Sequence, residues 1–281
     1  MDVSIGLPNA VPGTTGAELI EWARRADARG FKSLGTIDRI AYDNYEPLVA
    51  LSAAAAVTER IGLTTSVLLA PLRESAAAIA KQTLSLQALS GGRLTLGIGI
   101  GGRDDDYATA EVEMGERGET ADQMLARIRE LWEADHVGPL AASRPRLLVG
   151  GGVDASFARA AKYGDGWIAG GLPPEAFAEA AMRVKEEWAA AGREGQPRLE
   201  GLAYFSLGSE AEANATSYLT DYYAWLGEET AGYIAGSAAK DAETVQGYLA
   251  AFEGVGCDEL ILFPSSGDPD QVDLLADAAG L

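Results

Sequence analysis

The sequence predicts a single (β/α)8 TIM barrel, and three observations carry that prediction. Eight short β-branched or aliphatic runs recur along the chain, segments with a 3.6-residue apolar period separate them, and 281 residues that are 47% hydrophobic suffice for one large core. A doubly wound sheet would more often need fewer strands. No low-complexity linker divides the chain, so residues 1–281 are read as one α/β domain.

In order, the strands are expected at VSIGL (3–7), KSLGTI (32–37), GLTTSVLL (62–69), LTLGIGI (94–100), RLLVGG (146–151), GWIAGG (166–171), LAYFSL (202–207) and ELILFP (259–264). The helices between them show apolar stripes: Met124, Ile128 and Leu131 in one, Phe177, Ala181, Val184 and Trp188 in the next, then Val245, Tyr248, Leu249 and Phe252. A last stripe carries Val272, Leu275, Ala276 and Ala279, and the Ala-rich run 53–56 is helix composition. Residues 226–240, rich in glycine and alanine between two helices of the long seventh connection, are read as a loop or lid.

The balance of 42 acidic against 22 basic residues, net charge −20, repels nucleic acid and anionic lipid. No apolar run approaches the ~20 residues of a membrane span, and MDVSIGLPNAV lacks a signal pattern, so a cytoplasmic location is expected. One cysteine, Cys257, excludes an internal disulfide and reads as a small buried hydrophobe.

In such a barrel, functional groups gather where strands end and βα loops begin. The fourth strand is the most informative: alternate residues Gly97, Gly99 and Gly101 carry no side chain, so Leu96, Ile98 and Ile100 can pack against helices while the opposite face stays open for a ligand. Gly97 to Gly102 fits G-x-G-x-x-G literally, yet Arg103, Asp104, Asp105 and Asp106 follow and the next helical pattern begins near Glu119, so a dinucleotide site is rejected. The chain also lacks G-x-x-x-x-G-K, C-x-x-C and H-E-x-x-H, and the three aspartates are read as a solvated loop in preference to a cation site. Other strand ends offer Asp38, Arg39, Tyr42 and Tyr45 after the second, Arg73 after the third, and Gly150, Gly151, Gly152 and Asp154 after the fifth. Asp38 is either a structural carboxylate, capping the next helix or pairing with Arg39, or a catalytic one. The only histidine, His136, falls just before the fifth strand, on the opposite face, so proton transfer is left to Asp38, Tyr42, Tyr45 or water.

Four segments in order carry a family resemblance: Ser90-Gly91-Gly92-Arg93 through Gly102-Arg103; Glu116-Arg117-Gly118 with Leu131-Trp132; Arg144-Pro145 to Gly150-Gly151-Gly152; and Ala161 to Asp165-Gly166-Trp167. Together they resemble the bacterial luciferase-like flavin-dependent monooxygenases over nearly the whole chain. The resemblance implies reduced FMN, or the related deazaflavin coenzyme, at the C-terminal ends of the strands. It implies that Asp38 approaches the redox ring, although Arg39 stands where relatives commonly have histidine. It also implies a non-proline cis peptide in the third strand, with Ser66-Val67 the candidate. Phosphate contacts would come from Gly150, Gly151 and Gly152 and the glycine-rich fourth strand, backed by a helix N-terminus. Because Asp154 would compete there for backbone donors, Arg103 is expected to supply charge.

The activity implied is oxidation of a small organic substrate by reduced FMN and oxygen, the FMN being supplied by a separate flavin reductase. Ser66, Asp38 and Tyr42 would orient the reactants, and 226–240 or 101–115 would form a lid. The alternatives are a deazaflavin-dependent reductase or dehydrogenase that moves a hydride, and a non-catalytic flavin-binding accessory protein. Relatives commonly pair through helices near the second to fourth strands, and the Ala-rich helix 46–58 permits close approach, so a homodimer is expected.

Overall fold

In the computed structural model, which describes residues 1–73, 75–134, 136–139 and 143–281, eight parallel strands close into a barrel in sequence order. They are β1 (Asp2–Gly6), β2 (Ser33–Thr36), β3 (Gly62–Leu69), β4 (Leu94–Gly99), β5 (Arg146–Gly150), β6 (Gly166–Ile168), β7 (Arg198–Phe205) and β8 (Glu259–Pro264). Around them run α1 (Gly16–Arg29), α2 (Pro47–Ala55), α3 (Ala76–Leu89), α4 (Asp104–Thr109), α5 (Arg117–Trp132), α6 (Asp154–Tyr163), α7 (Pro174–Ala190), α8 (Ala211–Tyr222), α9 (Glu228–Gly236), α10 (Ala242–Gly254) and α11 (Asp270–Ala279). Among the described residues no helix is long and apolar enough to cross a membrane.

Two departures from the sequence reading have local causes. Strand β7 starts at Arg198, ahead of the aliphatic run, because Arg198 and Glu200 face inward into a polar network that an apolar pattern does not reveal. Residues 226–240 are not a loop: α9 occupies most of them, with Ala231 and Ala235, four apart, buried on one face. His136 is exposed beyond α5, at the end of the barrel away from the site.

Alternation along each strand divides the interior in two. Leu34, Leu63, Leu96, Ile98, Leu147 and Leu262 face the helices and join Trp22, Leu51, Leu125, Phe177 and Phe252 in the main core. Inside the barrel, Leu148, Ile168, Leu202, Tyr204, Ile261 and Phe263 fill the upper half with Tyr218, Leu219 and Tyr222 of α8. The floor is polar. Ser4 and Ser33 donate to Glu259 Oε1 at 2.5 and 2.6 Å, while Arg198 donates to Glu200 Oε1 at 2.7 Å and to Glu259 Oε2. Burial, then the Glu259 charge, pushes the Glu200 carboxyl up to about 8.

Candidate active site

The face of β4 expected to be open is occupied by its neighbour. Between Thr65 and Leu68 the β3–β4 register shifts, and the Ser66–Val67 peptide within that bulge is cis. A Cβ at Gly97 would overlap the Thr65 carbonyl oxygen, one at Gly99 would overlap Val67 Cγ2, and one at Gly150 would lie 2.8 Å from Val67 Cγ1. The glycines of β4 and β5 therefore make room for the β3 bulge, and Val67 is carried over them into the barrel mouth. The open space lies above Val67, one layer further out.

There a cavity of about 620 Å³ opens at the C-terminal ends of β3 to β6. Ser66, Val67, Gly99, Gly101 and Gly102 line one side, and Gly150, Gly151, Gly152 and Val153 another. Ile100, Leu125, Leu172 and Trp225 give it apolar walls; Ile100 lines the cavity, and only Leu96 and Ile98 of its expected trio belong to the helix-facing core. Ser66 Oγ is buried with no partner among the described residues.

One end of this cavity brings together a glycine turn, a helix N-terminus and two arginines. The backbone at Gly151 has φ +135°, and a Cβ there would sit 2.6 Å from Ser156 Cβ, so the turn requires glycine. Trp167 Nε1 donates to the Gly151 carbonyl at 2.7 Å, and Ser156 Oγ accepts from the Val153 N–H at 3.1 Å, fixing the loop on the N-terminus of α6. Ser156 and Arg159, three apart, share one face of α6 and both line the cavity. Arg159 is braced by Asp122 at 3.0 and 3.2 Å and by the Gly118 carbonyl at 3.1 Å. Arg117 lines the same end, with its Nη1 on the Met114 carbonyl at 2.8 Å and a buried Nε that has no partner among the described residues. Asp154 does not compete for the donors: its carboxylate is exposed and pairs with Arg183 at 2.7 Å.

The charge at this end thus comes from Arg117 and Arg159, which the sequence reading passed over. Arg103, expected there, instead donates to the Tyr222 carbonyl at 2.7 Å, with its guanidinium 4.3 Å from the Tyr222 ring centroid and 4.9 Å from that of Trp225. A usable signal existed: Arg159 lies one helical turn beyond Ser156 in the helix that follows the triple glycine.

Asp38 is buried at the end of β2, but outside the lining of this cavity. Its Oδ2 accepts from the Leu69 N–H at 2.8 Å and from Arg73 at 2.5 Å, so its ionic partner is Arg73 and not Arg39. Oδ1 has no partner among the described residues; burial pushes the carboxyl up, against the opposing pull of Arg73 and the Leu69 amide. Arg39 pairs with Asp105 and Asp106, each at 2.7 Å, and Asp106 Oδ1 also accepts from the Ile40 and Ala41 amides at 2.8 Å. The acidic run expected to be solvated is in part a buried clamp between the loops after β2 and β4. Tyr42 donates to Asp221 at 2.7 Å and stacks edge-on against Tyr222, beside the cavity and not in it.

The sequence profile of the luciferase-like monooxygenases matches residues 1–275. The chain belongs to that family, whose members are oxidoreductases. It is 31% identical over 216 residues to an uncharacterized protein of Mycobacterium tuberculosis, covering 69% of this chain and 76% of that one. Among solved structures it is similar in fold to an F420-dependent secondary alcohol dehydrogenase in complex with an F420-acetone adduct, with a TM-score of 0.83 at 17% identity over 99% of this chain and 98% of that one. It is also similar to the monooxygenase RslO1 from Streptomyces bottropensis, with a TM-score of 0.75 at 21% identity over 99% and 98% of the two chains. Of these two structures that share its fold, one is named as an F420-dependent dehydrogenase and the other as a monooxygenase.

Proposed function

We propose that this chain binds a reduced deazaflavin coenzyme in the cavity above Val67 and exchanges a hydride with a small organic substrate. The observation that carries this reading is the form of the arginine-lined end. Gly151 and Gly152 present backbone donors beside Arg117 and Arg159, yet both glycines are exposed, so a coenzyme whose chain runs on past its phosphate has a way out. When bound, the coenzyme supplies the redox chemistry. The protein's share is positional. Val67, Gly99 and Gly150 form a floor for a flat ring, Ser66 offers an unused hydroxyl at its edge, and Leu125, Leu172 and Trp225 limit water. Asp38, buried behind the cavity, is assigned a positioning role: its Oδ2 accepts from the Leu69 amide and from Arg73 and anchors the end of β3. Tyr42, held by Asp221, is assigned to orient the wall formed by α8.

The apolar walls favour a second reading, in which reduced FMN from a separate reductase is used with oxygen, because that chemistry depends on a dry cavity. Anaerobic titration with reduced deazaflavin and, in parallel, reduced FMN separates the two, with Trp225 fluorescence as the reporter. Saturation by reduced deazaflavin, weakened at least tenfold by Arg159→Ala, is the expected result. Saturation by reduced FMN alone replaces the first reading with the second, and saturation by neither overturns both.

A further inference from the structure

We infer a second anion site, for a phosphate-sized oxyanion, at the N-terminal end of the barrel. It is independent of the coenzyme reading. A cavity of about 280 Å³ opens there, lined by Lys32, Ser33, Thr64, Arg93, Thr95 and Arg146 among others. Thr95 and Gly99 are four strand residues apart, which puts this opening ~13 Å from the coenzyme cavity at ~3.3 Å per residue.

Its charge comes from Arg93, Arg146 and Lys32; Lys32 is paired with Asp2, and the field of Arg146 reaches the Glu200 carboxyl. Arg93, the end of the Ser90-Gly91-Gly92-Arg93 motif that the active site does not use, places every guanidinium N–H on a neutral oxygen: Ser90 O at 2.7 Å, Thr58 Oγ1 at 2.9 Å, Ile61 O at 2.7 Å, Ala55 O at 3.2 Å and Thr58 O at 3.0 Å. It is thereby held rigid, and no carboxylate lies within 4.0 Å of it among the described residues. Arg146 opens β5 opposite Thr95, in the same strand parity as Leu148 inside the barrel, and is exposed without a hydrogen bond or ion pair among the described residues. Lys32 has only Asp2 at 3.6 Å, and Asp2 is shared with Arg198 at 3.3 Å. Two lining charges are already matched. Arg144 is paired with Asp165 at 2.7 and 2.8 Å, and Glu259 is met by Ser4, Ser33 and Arg198.

Three cations therefore border one small opening in a chain of net charge −20; Arg93 contributes its field alone, and Arg146, Lys32 and the hydroxyls of Thr64 and Thr95 supply the donors. The overall field repels anions, so one bound here is held by local donors, and the size of the opening favours a single oxyanion over a nucleotide or coenzyme.

The test is equilibrium dialysis of inorganic phosphate at constant ionic strength, with wild type, Arg146→Ala, Arg146→Lys and Arg159→Ala. Phosphate bound by the wild type should weaken at least tenfold in Arg146→Ala, recover in part in Arg146→Lys, and persist in Arg159→Ala, which disarms only the opposite end. An unchanged melting temperature of Arg146→Ala without phosphate checks that the fold is intact. Binding insensitive to Arg146, binding abolished by Arg159→Ala, or no binding at all overturns the inference.

Discussion

Replacing Gly99 with alanine places a methyl group where Val67 Cγ2 lies. Val67 is β-branched and stiff at χ1, so it cannot rotate clear, and the overlap must be relieved by moving the β3 bulge. Overpacking of this kind costs roughly 1–3 kcal/mol. Truncating Val67 to alanine costs ~1–2 kcal/mol through lost packing but removes the obstructing atom. The double variant should then be more stable than the sum of the single effects by ~1–2 kcal/mol. Gly97→Ala is the internal control, because the obstacle there is the Thr65 carbonyl oxygen, a backbone atom that Val67→Ala leaves in place. Urea unfolding of the single and double variants measures both couplings. Additive effects for Gly99→Ala with Val67→Ala, or rescue of Gly97→Ala by Val67→Ala, would refute the claim that the glycines exist to seat the bulge.

Arg39→Ala strands the buried Asp106 carboxylate with only backbone donors, and should cost ~3–5 kcal/mol and lower the melting temperature by about 10 °C, read by calorimetry. Asp38→Asn keeps an acceptor for the Leu69 amide, so coenzyme affinity in titration should hold within ~3-fold, whereas Asp38→Ala, which removes that acceptor, should weaken it further; equal affinities of the two variants would remove the positioning role. Glu200 has a folded-state value raised to about 8 from 4.5, so its contribution to stability is fully present below about 4.5 and is lost as pH rises through about 8. Urea midpoints of the wild type should decline over that window, and Glu200→Gln should flatten the decline.

The barrel was legible because seven of its strands announce themselves as aliphatic runs bounded by helix-period segments, and the eighth, β7, was found late only because Arg198 and Glu200 hide its start. Helices α5 and α7 bury the whole of their apolar stripes, whereas Tyr248 and Leu249 of α10 and Ala279 of α11 are only half-buried. The site was legible in part. Glycine spacing located the right strands and loop, but a missing side chain does not say what fills its place, and here it is a neighbouring strand. Pairing across loops was the least legible: Arg39 to Asp106, Asp38 to Arg73 and Arg103 to Tyr222 each join residues far apart in the chain, which local pattern cannot link. Arg159 escaped notice because its role depends on Asp122 and Gly118 of a different helix.

The most direct measurement is a crystal structure of the protein with reduced deazaflavin bound under anaerobic conditions. The expected result is the ring stacked on Val67, with the phosphate at Gly151 to Val153 within hydrogen-bond reach of Arg159. Coenzyme density in the separate cavity of about 590 Å³ lined by Val11, Asp221 and Ser265, with the space above Val67 empty, would contradict the assignment.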